Sequence, residues 1–324
     1  MSRYARQEVL PEVGAGGQRR LAAARVLVVG AGGLGVPVLQ YLAGAGVGHL
    51  TVVDGDRVAE VNLHRQPLYR TDQVGRPKVE AAAEAVAALN PGVVVEPLRA
   101  WLDPVLARDL VPQADLALDC ADTFAASLIL SDACHARGIP LITASALGMT
   151  GYVAGTCGPA PSLRALFPDL PERAATCETA GILGPVVGTL GALQAQMALS
   201  VLLALDPSPL GQLLHLDASR WRTTGFRFDG APEPPDPLPF IGLGELRPDD
   251  LLVDLRTEVP ERFRPEARRL ALADIGTLEP PPGTGRIVVA CRTGLRAHHA
   301  GMALRQRGTG PVALLAVPPR DDDA

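Results

Sequence analysis

The run Arg25-Val-Leu-Val-Val-Gly30-Ala-Gly-Gly-Leu-Gly35-Val-Pro-Val-Leu-Gln-Tyr-Leu-Ala-Gly-Ala45, followed by His49-Leu-Thr-Val-Val53-Asp54, decides the fold. An apolar β-forming segment runs into closely spaced glycines. Helical apolar spacing over 34–45 follows, then a second β run over 48–53. Strand, tight turn, helix and strand make one βαβ unit. Gly30, Gly32, Gly33 and Gly35 permit the tight turn and let backbone approach a phosphate, while the helix start offers free N–H groups to an anion. Asp54, about 20 residues on, can accept hydrogen bonds from ribose hydroxyls. Alone, this is a nucleotide fingerprint whose default holder is a NAD-dependent oxidoreductase.

The alternation continues outward. Helices are expected over Lys78–Leu89, 103–110 and Phe124–Arg137, and strands over 93–98, 116–118, 140–146 and 152–157. This predicts an α/β fold with a doubly wound, Rossmann-like mixed sheet, parallel at first. Residues 158–180 read as a loop crossing the site, 184–205 as a long apolar helix, and Gln212–Asp217 with 222–228 as a closing antiparallel pair. Five prolines in 229–239 read as a stiff, extended linker. Strands at 251–254 and 287–290 and a helix over 297–307 then form a second, smaller α/β unit. The expected organisation is 1–228, the linker 229–239, a unit over 240–318, and a disordered tail at 319–324.

Composition narrows the function. Of 324 residues 47% are hydrophobic and 20% charged, with mean hydropathy +0.17, which excludes collagen-like and largely disordered classes. A net charge of −5 argues against a nucleic-acid or anionic-membrane binder. The five cysteines, Cys120, Cys134, Cys157, Cys177 and Cys291, are odd in number and form no C-x-x-C pair, which argues against a disulfide scaffold or a thiolate zinc site. The start Met-Ser-Arg-Tyr-Ala-Arg lacks an apolar h-region, so a cytoplasmic protein is expected. No charge falls between Glu178 and Asp206, a span long enough for a bilayer, yet its glycines, Pro185, Gln194 and Gln196 favour a buried core or interface helix. Lys78 is the single lysine in the chain, a pointer to a site that wants a compact ammonium.

Polar groups cluster where open α/β sheets bind ligands. Asn62-Leu-His-Arg65-Gln66 follows Asp54, then Gly75-Arg-Pro-Lys78, and Asp119-Cys-Ala-Asp122 ends a strand. A hydride carrier does not need two cations and an extra carboxylate there, whereas a triphosphate does. Arg65 and Lys78 can neutralise phosphates, and Asp122 can hold Mg²⁺.

With these residues the chain resembles the MoeB/ThiF-like adenylyltransferases, which activate ubiquitin-like sulfur-carrier proteins and are relatives of ubiquitin-activating enzymes. The matching stretches are Arg3-Tyr-Ala-Arg-Gln-Glu-Val-Leu10, the glycine turn, Tyr41–Gly48, Val53-Asp-Gly-Asp56, Asn62–Gln66, Val74–Glu80, Leu118–Asp122 and Thr176-Cys-Glu-Thr-Ala-Gly181. The resemblance implies ATP and Mg²⁺ as cofactors. Asp54 would bind the ribose, with Asp56 in the same nucleotide set. Arg6, Asn62, Arg65 and Lys78 would contact phosphates, and Asp122 the metal. It further implies a homodimer, because the arginine matching Arg6 or Arg65 can come from the partner, and a small carrier ending in Gly-Gly as substrate. The pathway would be molybdopterin, thiamine or related sulfur biosynthesis. Two departures matter. The family's first cysteine pair falls on Pro161-Ser162-Leu-Arg-Ala165 and the second is missing, so no structural zinc is expected; Thr123-Phe124 follows Asp122 where the family carries an Asn.

Cys291-Arg-Thr-Gly-Leu-Arg296 lies between a strand and a helix. A thiolate there would be stabilised by loop N–H groups, the helix start, Arg292 and Arg296. The loop resembles that of rhodanese-type sulfurtransferases, which implies that Cys291 carries a persulfide loaded by a sulfur donor such as a cysteine desulfurase. The family's middle His-Ile-Pro-Gly-Ala stretch has no counterpart at 264–270, and a degenerate or regulatory module is the alternative. Cys177, in the crossing loop, is a second candidate thiol. Competing readings of the whole chain are the oxidoreductase, a non-catalytic scaffold for a ubiquitin-like partner, and an activator of a tRNA-linked or free small carboxylate.

Overall fold

A computed structural model describes residues 2–171 and 180–319. The first sheet is built from β1 (Arg25–Val29), β2 (His49–Val53), β3 (Val94–Leu98), β4 (Leu116–Asp119), β5 (Pro140–Leu147), β6 (Thr150–Cys157), β7 (Gln212–Asp217) and β8 (Arg222–Arg227). Their spatial order is β3-β2-β1-β4-β5-β6-β7-β8. The first five are parallel and the last three antiparallel, as the alternation predicted. The central strands are apolar on both faces because helices cover both. The order reverses between β1 and β4, which places a crevice at their carboxyl ends.

The helices are α1 (Ala5–Glu8), α2 (Gly14–Ala23), α3 (Gly35–Ala45), α4 (Lys78–Leu89), α5 (Pro104–Leu110), α6 (Phe124–Arg137), α7 (Leu163–Leu166), α8 (Gly184–Leu202) and α9 (Leu295–Gln306). Helix α8 is long and apolar enough to cross a membrane by length and composition. It packs on α3, β5 and β6, burying Val186, Val187, Leu190, Ala195 and Met197 in the main core.

A second, parallel sheet has the order β10-β9-β11-β12, from β9 (Asp250–Asp254), β10 (Arg268–Arg269), β11 (Arg286–Cys291) and β12 (Val312–Ala316). It shares a hydrophobic cluster with the first sheet's helices: Ala107, Ala125, Leu128, Ile129 and Leu163 pack with Leu238, Phe240, Val253, Val289 and Cys291.

One sequence expectation is corrected. The stretch 158–180 is not all loop, because Ser162 caps the short helix α7 by accepting the N–H groups of Arg164 and Ala165. The proline-rich 229–239 forms no helix or strand and is tied down by contacts: Leu238 is buried, its carbonyl accepts from Arg164, and Glu233 binds Ser162. Helices α1 and α2, and strands β10 and β12, went unforeseen. The tail from 320 onward lies outside the described residues.

Candidate nucleotide site

The turn after β1 excludes a side chain at two of its glycines. Gly30 has φ +98°, and a Cβ there would sit 2.5 Å from the Cys120 carbonyl oxygen. A Cβ on Gly35 would meet the Gly30 oxygen at 2.0 Å. Gly33 faces Val187 of α8, which a Cβ would crowd at 3.1 Å. Gly32 is open, its nearest neighbour being Gln66 Nε2 at 3.5 Å from a notional Cβ. The turn is therefore folded by Gly30 and Gly35 and left bare at Gly32. No side chain caps the start of α3; the Val36 N–H donates to the Gly32 carbonyl at 2.9 Å and Pro37 has no N–H, which leaves the Gly35 N–H of this first turn to face an anion.

Asp54 ties the end of β2 to this turn. Its Oδ2 accepts the Ala31 N–H at 2.7 Å and its Oδ1 accepts the Asp56 N–H at 2.8 Å. Burial raises its pKa above the usual carboxylate range, and the Lys78 charge pulls it back down. Lys78, at the start of α4, is 4% exposed and its Nζ lies 2.7 Å from Asp56 Oδ2. Turn, Asp54, Asp56 and the single lysine thus form one connected polar chain.

A short 3-10 turn, Glu60–Asn62, brings the next segment over the glycines. Arg65 Nη2 donates to Asn62 Oδ1 at 2.7 Å, and Nη1 meets His64 Nε2 at 3.0 Å. The Arg65 carbonyl lies beside Gly33. Gln66, 3% exposed, leaves its buried Oε1 without a partner over the bare glycine. A buried amide oxygen without a partner costs about 1–3 kcal/mol, so Gln66 fits a ligand that supplies a donor. A nucleoside has such donors in its ribose hydroxyls and amino group.

At the end of β4, Asp119 is fully buried. It accepts Thr143 Oγ1 at 2.7 Å and the Ala121 N–H at 3.2 Å, and burial pushes its pKa up to about 6. Asp122, three residues on, is exposed and makes no hydrogen bond or ion pair among the described residues. Mg²⁺ binds one or two carboxylates plus phosphate oxygens, and this donor set fits that requirement. Among the described residues no three His, Cys, Asp or Glu side chains lie together as a protein-only metal cage. The segment matching the family's first cysteine pair offers Ser162 hydrogen-bonded to Glu233, which does not fit zinc.

Arg6 is not brought into this group by its own chain. It lies exposed on α1, and neighbouring Gln7 donates to the Ala45 carbonyl at the far end of α3, about 16 Å from the glycine turn by helix rise. Cys177 lies outside the described residues.

Cys291 ends β11 and is fully buried. Its Sγ accepts the N–H groups of Gly294 at 3.1 Å and Ala297 at 3.3 Å. Burial pushes the Cys291 thiol pKa up, against the lowering effect of the loop N–H groups and Arg296. Arg296 is committed to Glu258 and to the Leu255 carbonyl.

Sequence reasoning missed three residues that shape this region. Gln66 was quoted within a motif but given no role. Gln194 of α8 donates to the Asp119 and Ile142 carbonyls and accepts from Cys120, fixing the end of β4; a lone polar residue in an apolar helix was the available signal. Trp101 packs on Gly55, between the two aspartates, and no spacing in the sequence announces that contact.

A profile of the ThiF family matches residues 4–235. The chain is 47% identical over 221 residues to the adenylyltransferase and sulfurtransferase MOCS3 of Bos taurus, covering 67% of this chain and 49% of that one, so it spans about half that relative's length. It is 40% identical over 229 residues to the sulfur carrier protein ThiS adenylyltransferase of Escherichia coli, covering 69% of this chain and 91% of that one. Among solved structures it shares its fold with E. coli MccB crystallised with ATP, at TM-score 0.63 and 22% identity over 72% of this chain and 73% of that one. With a family match over more than half its length, the chain belongs to the ThiF family.

Proposed function

We propose that this protein adenylates the C-terminal carboxylate of a small ubiquitin-like sulfur-carrier protein. The observation that carries the reading is the inward Lys78, paired with Asp56 and linked through Asp54 to the glycine turn. A nicotinamide site has no need of a buried ammonium beside its phosphate turn. The names of two relatives, an adenylyltransferase and sulfurtransferase and a sulfur-carrier adenylyltransferase, support the same reading.

In this reading the carrier carboxylate attacks the α-phosphorus of ATP, giving an acyl-adenylate and pyrophosphate. A carboxylate is already a nucleophile, so the chain supplies positioning and charge rather than a base. Gly32 and the start of α3 receive phosphate oxygens, Asp54 the ribose hydroxyls. Arg65, held by Asn62, and Lys78, released from Asp56, neutralise charge. Asp122 would hold Mg²⁺, which when bound shields phosphate charge. Arg6, remote from the turn in its own chain, would reach a partner's site in a homodimer.

The C-terminal unit would transfer sulfur through a Cys291 persulfide. The persulfide displaces AMP from the acyl-adenylate and forms an acyl disulfide; a second thiol then attacks Cys291 Sγ, releasing the carrier thiocarboxylate and leaving a disulfide between that thiol and Cys291, which an added thiol reductant returns to the free thiols. The test is mass spectrometry of carriers ending in Gly-Gly, incubated with the full chain, ATP, Mg²⁺ and a cysteine desulfurase with cysteine. One sulfur gained for one oxygen lost supports the full reading. A carrier adenylate without sulfur restricts it to adenylation, and no change in any carrier removes it.

A further inference from the structure

The Cys291 loop is seated on the helix that begins beside Asp122. Helix α6 starts at Phe124 with Thr123 as its cap, and Thr123 Oγ1 accepts the Ala126 N–H at 3.3 Å. The preceding first-turn donor, Ala125 N–H, goes to the Thr293 carbonyl at 2.9 Å. First-turn donors of a helix need an outside partner, and here the second sheet supplies it. Gly294 makes the approach possible. It has φ +87°, and a Cβ there would lie 2.9 Å from Ala125 Cβ and 3.0 Å from Ala125 N. The Gly294 N–H also donates to Cys291 Sγ, so the thiol and the seat of α6 share one residue. A second tie runs from the helix after the loop: His299 Nε2 donates to the Pro171 carbonyl at 2.8 Å, just ahead of the stretch that should cross the site.

We propose that the Cys291 loop is a positioning element of the nucleotide site. Thr293 and Gly294 fix the first turn of α6 and thereby the place of Asp122; they touch no substrate. A seat shared by the loop and α6 works in both directions, so nucleotide and metal at Asp122 alter the loop around Cys291. The metal's role at Asp122 rests on the function proposed above, whereas the contact itself does not. This role is separate from sulfur transfer and applies even where the thiol carries nothing.

The test uses the full chain with ATP and MgCl₂ and no carrier. Cys291 is alkylated with N-ethylmaleimide, its peptide quantified by mass spectrometry, and ATP binding is followed by equilibrium dialysis. Saturating ATP with Mg²⁺ is expected to change the Cys291 alkylation rate at least threefold. Gly294→Ala is expected to raise the Mg²⁺ needed for half-maximal ATP binding at least fivefold. Ala125→Pro removes the donor at a first-turn position that tolerates proline and gives the same result should Gly294→Ala not fold. An unchanged alkylation rate with ATP bound overturns the proposal. So does a folded variant with the wild-type Mg²⁺ requirement. Absence of ATP binding in the wild type overturns this inference and the adenylation reading together.

Discussion

Lys78 Nζ lies 2.7 Å from Asp56 Oδ2, and the main-chain N–H of that aspartate holds Asp54, whose other oxygen holds Ala31 of the glycine turn. The ammonium is thus placed at the phosphate turn by a carboxylate that water can still reach. Lys78→Met is expected to reduce carrier-dependent ATP–pyrophosphate exchange about 100-fold, roughly 3 kcal/mol of transition-state stabilisation. Stability should fall by only about 1–2 kcal/mol, because half-exposed Asp56 regains water. Lys78→Arg should not restore exchange, since a planar guanidinium fork does not reproduce the compact ammonium that Asp56 holds. Exchange kinetics and melting curves of the two variants check this; wild-type exchange in Lys78→Met would remove the lysine from the mechanism.

Arg6 on α1 and Asp122 at the end of β4 belong to opposite ends of the fold. If Arg6 serves the partner's site, Arg6→Ala and Asp122→Ala homodimers are each impaired. Mixing and reassociating them should restore up to about a quarter of wild-type exchange, because half the mixed dimers' sites are intact. Mixtures no more active than their parents would assign Arg6 no role in trans.

The sequence made the first sheet legible because local signals agreed there. Alternating apolar runs and the glycine turn pointed to the same elements, and β1 to β8 follow. The site was legible in type, since Asp54, Asn62, Arg65 and Lys78 lie within one short stretch of chain. Its geometry was not. That Lys78 turns inward to Asp56 depends on the docking of α4, and that Cys291 is sealed depends on α6, a helix more than 150 residues away in sequence. Long-range packing of this sort leaves no periodic trace. Helix α1 was missed because four residues are too few for periodicity; it is held instead by Tyr4 under Gly46 and by Gln7 on Ala45.

Asp119 gives a pH signature. Its pKa in the fold, about 6, lies above the unfolded value near 3.8. Its contribution to stability is therefore fully present below about pH 4 and is lost as pH rises through about 6. The shift corresponds to about 3 kcal/mol at most. Comparing denaturant unfolding of the wild type with Asp119→Asn isolates the group. The wild type should lose stability relative to the variant between pH 4 and pH 7, and a flat difference across that range would contradict the raised pKa.

The Cys291 thiol, buried and with its pKa pushed up, should resist reagents in the folded chain. Alkylation of Cys291 at pH 7.5 is expected to be at least about 100-fold slower in native protein than in urea, since only the thiolate reacts and the site must open. Equal rates in both conditions would show an exposed loop.

The central claim is that the glycine turn and its ring of charges join AMP to another polypeptide's C-terminus. Its most direct measurement is carrier-dependent ATP–pyrophosphate exchange with labelled pyrophosphate, using the wild type, Arg65→Ala and Asp122→Ala. Exchange should require a carrier ending in Gly-Gly and fall at least about 100-fold in each variant. Exchange that persists unchanged in both variants, or its absence from the wild type with every such carrier, would contradict it.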